Sequence, residues 1–140
     1  YVPDFLSLLV TLYKNHKVCE GKFIVHFIKG DISYICSDKI LLSRILGNLI
    51  KNALESSKSG ETVTVTYKND TDGIRFLVHN KGFMTEDVQL QIFNRSFSTK
   101  GEKGRGFGTY TVKLLLERYL NGHVEFSSTE KEGSTFTVSL

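Results

Sequence analysis

Asn48-Leu49-Ile50-Lys51-Asn52-Ala53-Leu54-Glu55 is the stretch on which the reading of the fold turns. Leu42, Ile45, Leu46, Leu49 and Ala53 recur at helical spacing through and ahead of it. Asp38 stands where an N-cap is needed, so the pattern predicts a helix from Asp38 to about Ser57. At about 100° per residue, Asn48 and Asn52 lie roughly 40° apart and Glu55 within about 60° of either. The three form a polar ridge beside the apolar stripe, where the helix passes from core to cleft. Asparagine in mid-helix costs roughly several tenths of a kcal/mol, and two of them one turn apart point to use. An amide oxygen facing a cleft is a neutral, hard ligand suited to Mg²⁺, which takes one or two protein oxygens beside waters and phosphates. Two solvated surface amides are the competing reading, and this helix alone leaves both open.

Outward from that helix the chain alternates between the two periods. Asp4 to about Lys14 places Phe5, Leu8, Leu9 and Leu12 on one helical face, with Asp4 as its cap. Phe23 to Ile28 reads as a buried strand, and Asp31 to Ser37 as a connector with room for a minor strand. After a turn over Ser56 to Gly60, the runs Thr62 to Lys68 and Ile74 to His79 are rich in β-branched and aromatic residues. They flank Asn69-Asp70-Thr71-Asp72-Gly73, a hairpin loop. Between 80 and 108 the regularity breaks, with a short apolar helix near Val88 to Phe93. A firm helix from about Thr109 to Leu120 stops at Asn121-Gly122. Val124 to Ser128 and Ser134 to Leu140 close the chain as strands around Glu132-Gly133. The order α, β, α, β, β, loop, α, β, β implies one mixed sheet with helices packed on one face, an α+β two-layer arrangement.

Composition narrows the function classes. At 140 residues, 40% hydrophobic and with one proline, the sequence suits a single compact domain over 1–140. No run of eighteen apolar residues is present, so no bilayer span and no membrane contact by this domain is expected. A net charge of +3, from 18 basic and 15 acidic residues, is too weak a bias for a nucleic-acid partner. Cys19 and Cys36 form neither a CxxC nor a paired metal spacing, which makes a reducing, cytoplasmic compartment the expectation. A start at Tyr1 rather than Met implies a piece of something longer, whose anchor would not be seen.

Two further constellations carry chemistry. Gly101-Glu-Lys-Gly104-Arg-Gly106-Phe-Gly108 runs into the helix at Thr109. Closely spaced glycines allow close backbone approach, and a helix start offers free N–H groups at the positive end of its dipole. With Arg95, Lys100, Lys103 and Arg105 around it, this describes an anion site for phosphate; a plain glycine-rich linker is the alternative. No Gly-Lys-Ser/Thr follows, so it is not a P-loop. HRD and DFG are absent, which excludes the protein-kinase loop, and a dinucleotide fingerprint would follow its first strand directly. The other constellation is Val78-His79-Asn80-Lys81-Gly82-Phe83-Met84 at a strand end, followed by Gln91-Ile92-Phe93-Asn94-Arg95-Ser96-Phe97.

Taken in order, Asn48-x-x-x-Asn52-Ala53, Asn80-x-Gly82, Ile92-Phe93 with Phe97, Gly104-x-Gly106-x-Gly108 and Gly133-Ser134-x-Phe136 resemble the N, G1, F, G2 and G3 boxes of the sensor histidine kinase ATP-binding domain. The resemblance covers about residues 37 to 140. It implies a mixed sheet of about five strands against three helices, with ATP–Mg²⁺ held between helices under a lid from about Asn94 to Arg105. By that match Asn52 holds Mg²⁺, with Asn48 and Lys51 near the phosphates. Asn80, Gly82, Met84, Phe93, Lys100, Arg105, Thr109 and Ser134 join the nucleotide site, and the Gly106, Phe107 and Gly108 region holds phosphate. Ile50, Ala53, Met84, Ile92 and Phe107 are the candidate walls of the adenine slot.

One position sorts the related families. ATPases of this superfold and anti-sigma serine kinases resemble one another in a Glu four residues before the metal Asn, which activates the nucleophile. Here that position is Asn48, whose amide cannot act as a general base. The resemblance therefore implies phosphoryl transfer to a histidine rather than efficient hydrolysis, with positioning and charge neutralisation as the means. No histidine here is followed by Glu, and the sole proline is Pro3. The acceptor is thus expected on a separate dimerisation domain of the same protein, with a response regulator downstream. Two departures stand out. Asn80 replaces the family's adenine-reading Asp, and Met84 replaces its second G1 glycine. They motivate an alternative, a nucleotide-binding regulatory module without transferase activity. His16, His26, His79 and His123 are scattered and read as packed or edge residues.

Overall fold

Asp38 accepts the backbone N–H groups of Ile40 and Leu41, both at 2.9 Å, and so opens the central helix α2 (Lys39–Glu55). At its other end Lys22 Nζ donates to the Leu54 carbonyl at 2.6 Å, setting a cation on the negative end of the helix dipole. Leu42, Ile45, Leu46, Leu49, Ile50 and Leu54 are buried along one side. Gly47 is there because α1 (Val2–Lys14) crosses at that point: a Cβ would stand 2.6 Å from the Tyr13 hydroxyl. Burial pushes the Tyr13 phenol pKa up.

The computed structural model describes residues 1–94 and 108–140. Its strands are β1 (Phe23–Gly30), β2 (Thr62–Asp70), β3 (Gly73–Asn80), β4 (His123–Thr129) and β5 (Gly133–Ser139), in the sheet order β1-β2-β3-β5-β4. β1 runs parallel to β2 because α2 forms the crossover between them; every other pair is antiparallel. Ile24 beside Val63, Tyr67 beside Phe76 and Val78 beside Phe136 set a buried row against the helices. On the opposite face Phe23 and Phe27 of the edge strand are exposed. The expected mixed sheet of five strands under three principal helices, α1, α2 and α4 (Gly108–Leu115), is the fold observed.

Several local expectations are corrected. Tyr1, not Asp4, is the N-cap of α1, and Pro3 lies in the first turn, where its missing N–H costs nothing. The face that α1 buries carries Val2, Leu6, Leu9 and Val10, whereas Leu8 and Leu12 are 64% and 61% exposed. Asp31 to Ser37 holds no strand. The short helix is α3 (Glu86–Gln91), beginning two residues before Val88 and ending before Ile92, with no buried residue. The last helix changes to a π-helical turn over Leu116–Leu120 before its stop. That stop is as read: Asn121 is left-handed at φ 52°, and the Gly122 N–H reaches the Leu116 carbonyl at 3.1 Å. The β2–β3 hairpin is tighter than read, with Asp70 paired to Gly73. The Asp72 backbone N–H, together with the Arg75 guanidinium, holds the Asp70 carboxyl below the usual carboxylate range.

Candidate functional site

Asn48, Asn52 and Ser56 follow one another at four-residue steps along α2, a line of about 12 Å at 1.5 Å per residue. Asn48 and Asn52 are half-buried and Lys51 is exposed. Two glycines face this line. A Cβ on Gly108, the first residue of α4, would lie 3.5 Å from Asn52 Nδ2 and 3.7 Å from its Oδ1. One on Gly82, two residues beyond β3, would lie 3.3 Å from the Ser56 carbonyl oxygen and 2.8 Å from Asn80 Nδ2. Backbone without side chains thus borders α2 at two levels, one of them a helix N-terminus with N–H groups to offer.

Asn80 ends β3 and is 5% exposed; its amide makes no hydrogen bond to a described residue, yet it is not sealed off, Arg75 Nε being the only fully buried side-chain polar atom without a partner among the described residues. Its amide thus stays within reach of solvent beside Gly82, where a side chain would crowd it.

The loop after Asn80 is held by a directed chain of hydrogen bonds. The Met84 N–H donates to Ser128 Oγ at 2.8 Å, Ser128 and Ser134 join hydroxyl to hydroxyl at 2.8 Å, and Ser134 Oγ donates to the Gly82 carbonyl at 2.7 Å. Each hydroxyl gives one proton, so the chain runs one way, from Met84 through Ser128 and Ser134 to Gly82. Gln89 Nε2 donates to the Met84 carbonyl at 2.8 Å and ties α3 to the same loop. Ser128 and Ser134 are buried cross-strand partners on the core face of β4 and β5. Ser128→Ala is expected to lose about 2 kcal/mol of stability, since the Met84 N–H and the Ser134 hydroxyl each lose a partner. Urea unfolding measures this; a change under about 0.5 kcal/mol would show that the chain of bonds does not hold the loop.

The residues singled out from sequence sort as follows. Asn48, Asn52, Asn80, Gly82, Gly108 and Ser134 fall along the two glycine-bordered levels or the loop brace. Met84 is partly buried against the core, with its backbone in the brace. Thr109 is buried, and its hydroxyl donates to the Ile92 carbonyl. Phe93 packs edge-on to Phe126 and Phe136, ring centres at 5.6 and 6.2 Å, with Lys113 Nζ 5.8 Å from its ring centre. Of the slot walls, Ile50 and Ala53 belong to the core and Ile92 packs against it. Arg95, Phe97, Lys100, Gly101, Lys103, Gly104, Arg105, Gly106 and Phe107 lie outside the described residues, as does nearly all of the lid.

Ser128 and Gln89 were not singled out. Ser128 had a signal, a polar residue at the inward step of a strand whose other inward residues are Val124 and Phe126. His79 Nε2 donates to the Glu132 carbonyl at 2.7 Å, clasping the end of β3 to the last hairpin. Cys19 and Cys36 are both free thiols. Among the described residues no cluster of His, Cys, Asp or Glu could hold a metal, and no helix is long and apolar enough to cross a membrane. A separate cavity of about 390 Å³ lies between α1 and the start of α2, walled by Val2, Phe5, Leu8 and Leu42 among others.

Residues 37–140 match the family described as histidine kinase-, DNA gyrase B-, and HSP90-like ATPase. Sporulation kinase A of Bacillus subtilis is 30% identical over 99% of this chain and 24% of its own length. Heme sensor protein HssS of Staphylococcus haemolyticus is 30% identical over 97% and 30%, and the probable C4-dicarboxylate sensor kinase of Halalkalibacterium halodurans 35% over 69% and 19%. The chain thus spans less than a third of the length of these relatives. Among solved structures, full-length ShkA in complex with AMPPNP superposes with a TM-score of 0.84 at 23% identity, covering 99% of this chain and 29% of that one. The catalytic domain of histidine kinase ThkA, nucleotide free, gives 0.81 at 20%, covering 99% and 90%. At these identities the superpositions establish the fold.

Proposed function

The chain belongs to the histidine kinase-, DNA gyrase B-, and HSP90-like ATPase family, and we propose that it is the ATP-binding catalytic domain of a longer sensor histidine kinase. The observation that carries this reading is the line along α2, bordered by Gly108 at one level and at the other by Gly82 beside Asn80, whose amide makes no hydrogen bond to a described residue and is not sealed from solvent. Its length of about 12 Å suits an extended nucleotide with its base at Asn80 and its phosphates toward Asn52 and Asn48. The AMPPNP complex of ShkA, a protein of the same fold, supports the same occupant.

Each residue has a task in this reading. Asn80 hydrogen-bonds the base edge, and Gly82 lets the base approach the backbone. The α4 amides from Gly108 onward, with Lys51, face the phosphates. Lys100, Arg105, Gly106 and Phe107 complete the phosphate end in sequence order. Asn52 fits Mg²⁺, since its neutral amide oxygen sits at the level of the α4 N-terminus and the metal asks for only one or two such oxygens. When bound, Mg²⁺ supplies neutralisation of phosphate charge. Asn48 has no proton-accepting lone pair of suitable basicity, so the chain's own residues do not activate water. They hold the nucleotide in line for an imidazole on a separate dimerisation domain of the parent, from which a response regulator takes the phosphoryl group. A cytoplasmic site follows from that partnership.

The test is transfer itself. Mixed with Mg–ATP labelled on the γ-phosphate and with the parent's histidine-bearing domain, the chain is expected to yield acid-labile, base-stable label on that domain. Firm ADP binding without any label would favour the regulatory-module reading that Asn80 and Met84 motivate. Turnover by the isolated chain, lost in Glu55→Gln, would favour a self-contained ATPase.

A further inference from the structure

Asn80 has more freedom than a base-reading residue usually keeps. The residue is 5% exposed, its amide is not sealed from solvent, and neither end of that amide hydrogen-bonds a described residue. Gly82 beside it has no side chain to dictate an orientation: a Cβ there would lie 2.8 Å from Asn80 Nδ2. The terminal torsion of asparagine is broad and two-fold, and nothing on the protein side selects oxygen or nitrogen as the end that faces the cleft.

We propose, resting on the nucleotide-binding reading above, that Asn80 makes this a site for purine nucleotides in general, taking 6-oxopurine triphosphates on terms similar to ATP. A carboxylate at this position offers acceptors only. It pairs with the 6-amino group of adenine and repels the carbonyl oxygen of a 6-oxopurine. A primary amide carries one acceptor and two donors. With Oδ1 outward it accepts from the 6-amino group while Nδ2 donates to the neighbouring ring nitrogen. Rotated by half a turn it donates to the 6-carbonyl oxygen and accepts from the ring N–H. The two pairings hold the same number of hydrogen bonds, and the absence of an internal partner for the amide makes the rotation free of any broken bond. The same residue that looks like a weakened adenine reader is then a base reader of wider range.

Inosine triphosphate is the probe, because it differs from ATP only at the 6-position and the adjacent ring nitrogen. Titration calorimetry with Mg–ATP and Mg–ITP on the wild-type chain, Asn80→Asp and Asn80→Ala reads the outcome. The wild type is expected to bind the two within about fivefold. Asn80→Asp is expected to prefer ATP by about tenfold or more, the size of one mismatched base contact. Asn80→Ala, which keeps the outcome readable should the aspartate variant not fold, is expected to weaken both by the same factor. Discrimination of tenfold or more by the wild type overturns the proposal, as does an unchanged ratio in Asn80→Asp or a loss confined to ATP in Asn80→Ala. Absence of binding by the wild type to either nucleotide would overturn the nucleotide-site reading itself, a different result.

Discussion

Asn52→Ala is expected to weaken Mg–ATP binding by about 10- to 100-fold, the range for losing one hydrogen-bonding or ligating group to a charged partner. The melting temperature is expected to change by no more than a few degrees, and that contrast gives the test its force. Asn52 is half-buried within α2, where alanine is the better helix former by several tenths of a kcal/mol, a gain that offsets part of what losing the contacts of Asn52 costs the fold. Its neighbour across the cleft is Gly108, at the start of α4, not a core side chain. Titration calorimetry beside thermal unfolding separates the two effects. Equal affinity in the variant would remove Asn52 from the phosphate end, and a large fall in melting temperature would make it a structural residue.

Gly133→Ala is expected to lose about 3 kcal/mol or more, seen as a fall in melting temperature on the order of 10 °C. Gly133 opens β5 with φ +79°, a conformation other residues adopt only under strain. Space is lacking as well. A Cβ there would fall on the Asn80 carbonyl oxygen and stand 2.9 Å from Lys81 Cα. Any relief must move the backbone at 80 and 81, so the same change displaces Asn80 and Gly82 and is expected to abolish nucleotide binding together with stability. A variant melting within about 2 °C of the wild type would mean that the turn accommodates a side chain and that the loop is set by other contacts.

How much of this was legible in the sequence varies by element, and for physical reasons. α2 was legible because its cap, its apolar stripe and its polar ridge are all local signals. The face of α1 was not. Apolar residues stand at 2, 5, 6, 8, 9, 10 and 12, so more than one arc of that helix is apolar, and β1 and α2 decide which is covered. The strands were found to within a residue or two, but no local signal places β5 between β3 and β4, because that order depends on pairings far apart in the sequence. In the candidate site, Asn48, Asn52, Asn80 and Gly82 stood out as a set because their spacing resembles that of a known family, and the fold sets Gly108 beside Asn52 and Gly82 beside Asn80. Ser128 escaped because a lone serine in a strand carries meaning only once its inward partner, Ser134, is known. Lys22 escaped for a similar reason: its target, the Leu54 carbonyl, lies 32 residues away.

The central claim is that one cleft along α2 holds a nucleotide between the Asn80–Gly82 level and the Asn52–Gly108 level. Side-chain amide groups report directly in proton–nitrogen correlation spectra, so the most direct measurement is a Mg–ATP titration of the labelled 140-residue chain followed at the Asn48, Asn52 and Asn80 NH₂ signals and the Gly82 and Gly108 amides. The account predicts saturable shifts at all five with one common dissociation constant, in the range of about 1 μM to 1 mM typical of enzyme substrates. Saturation that leaves these five signals in place, or no shift anywhere at several millimolar Mg–ATP in the folded chain, would contradict it.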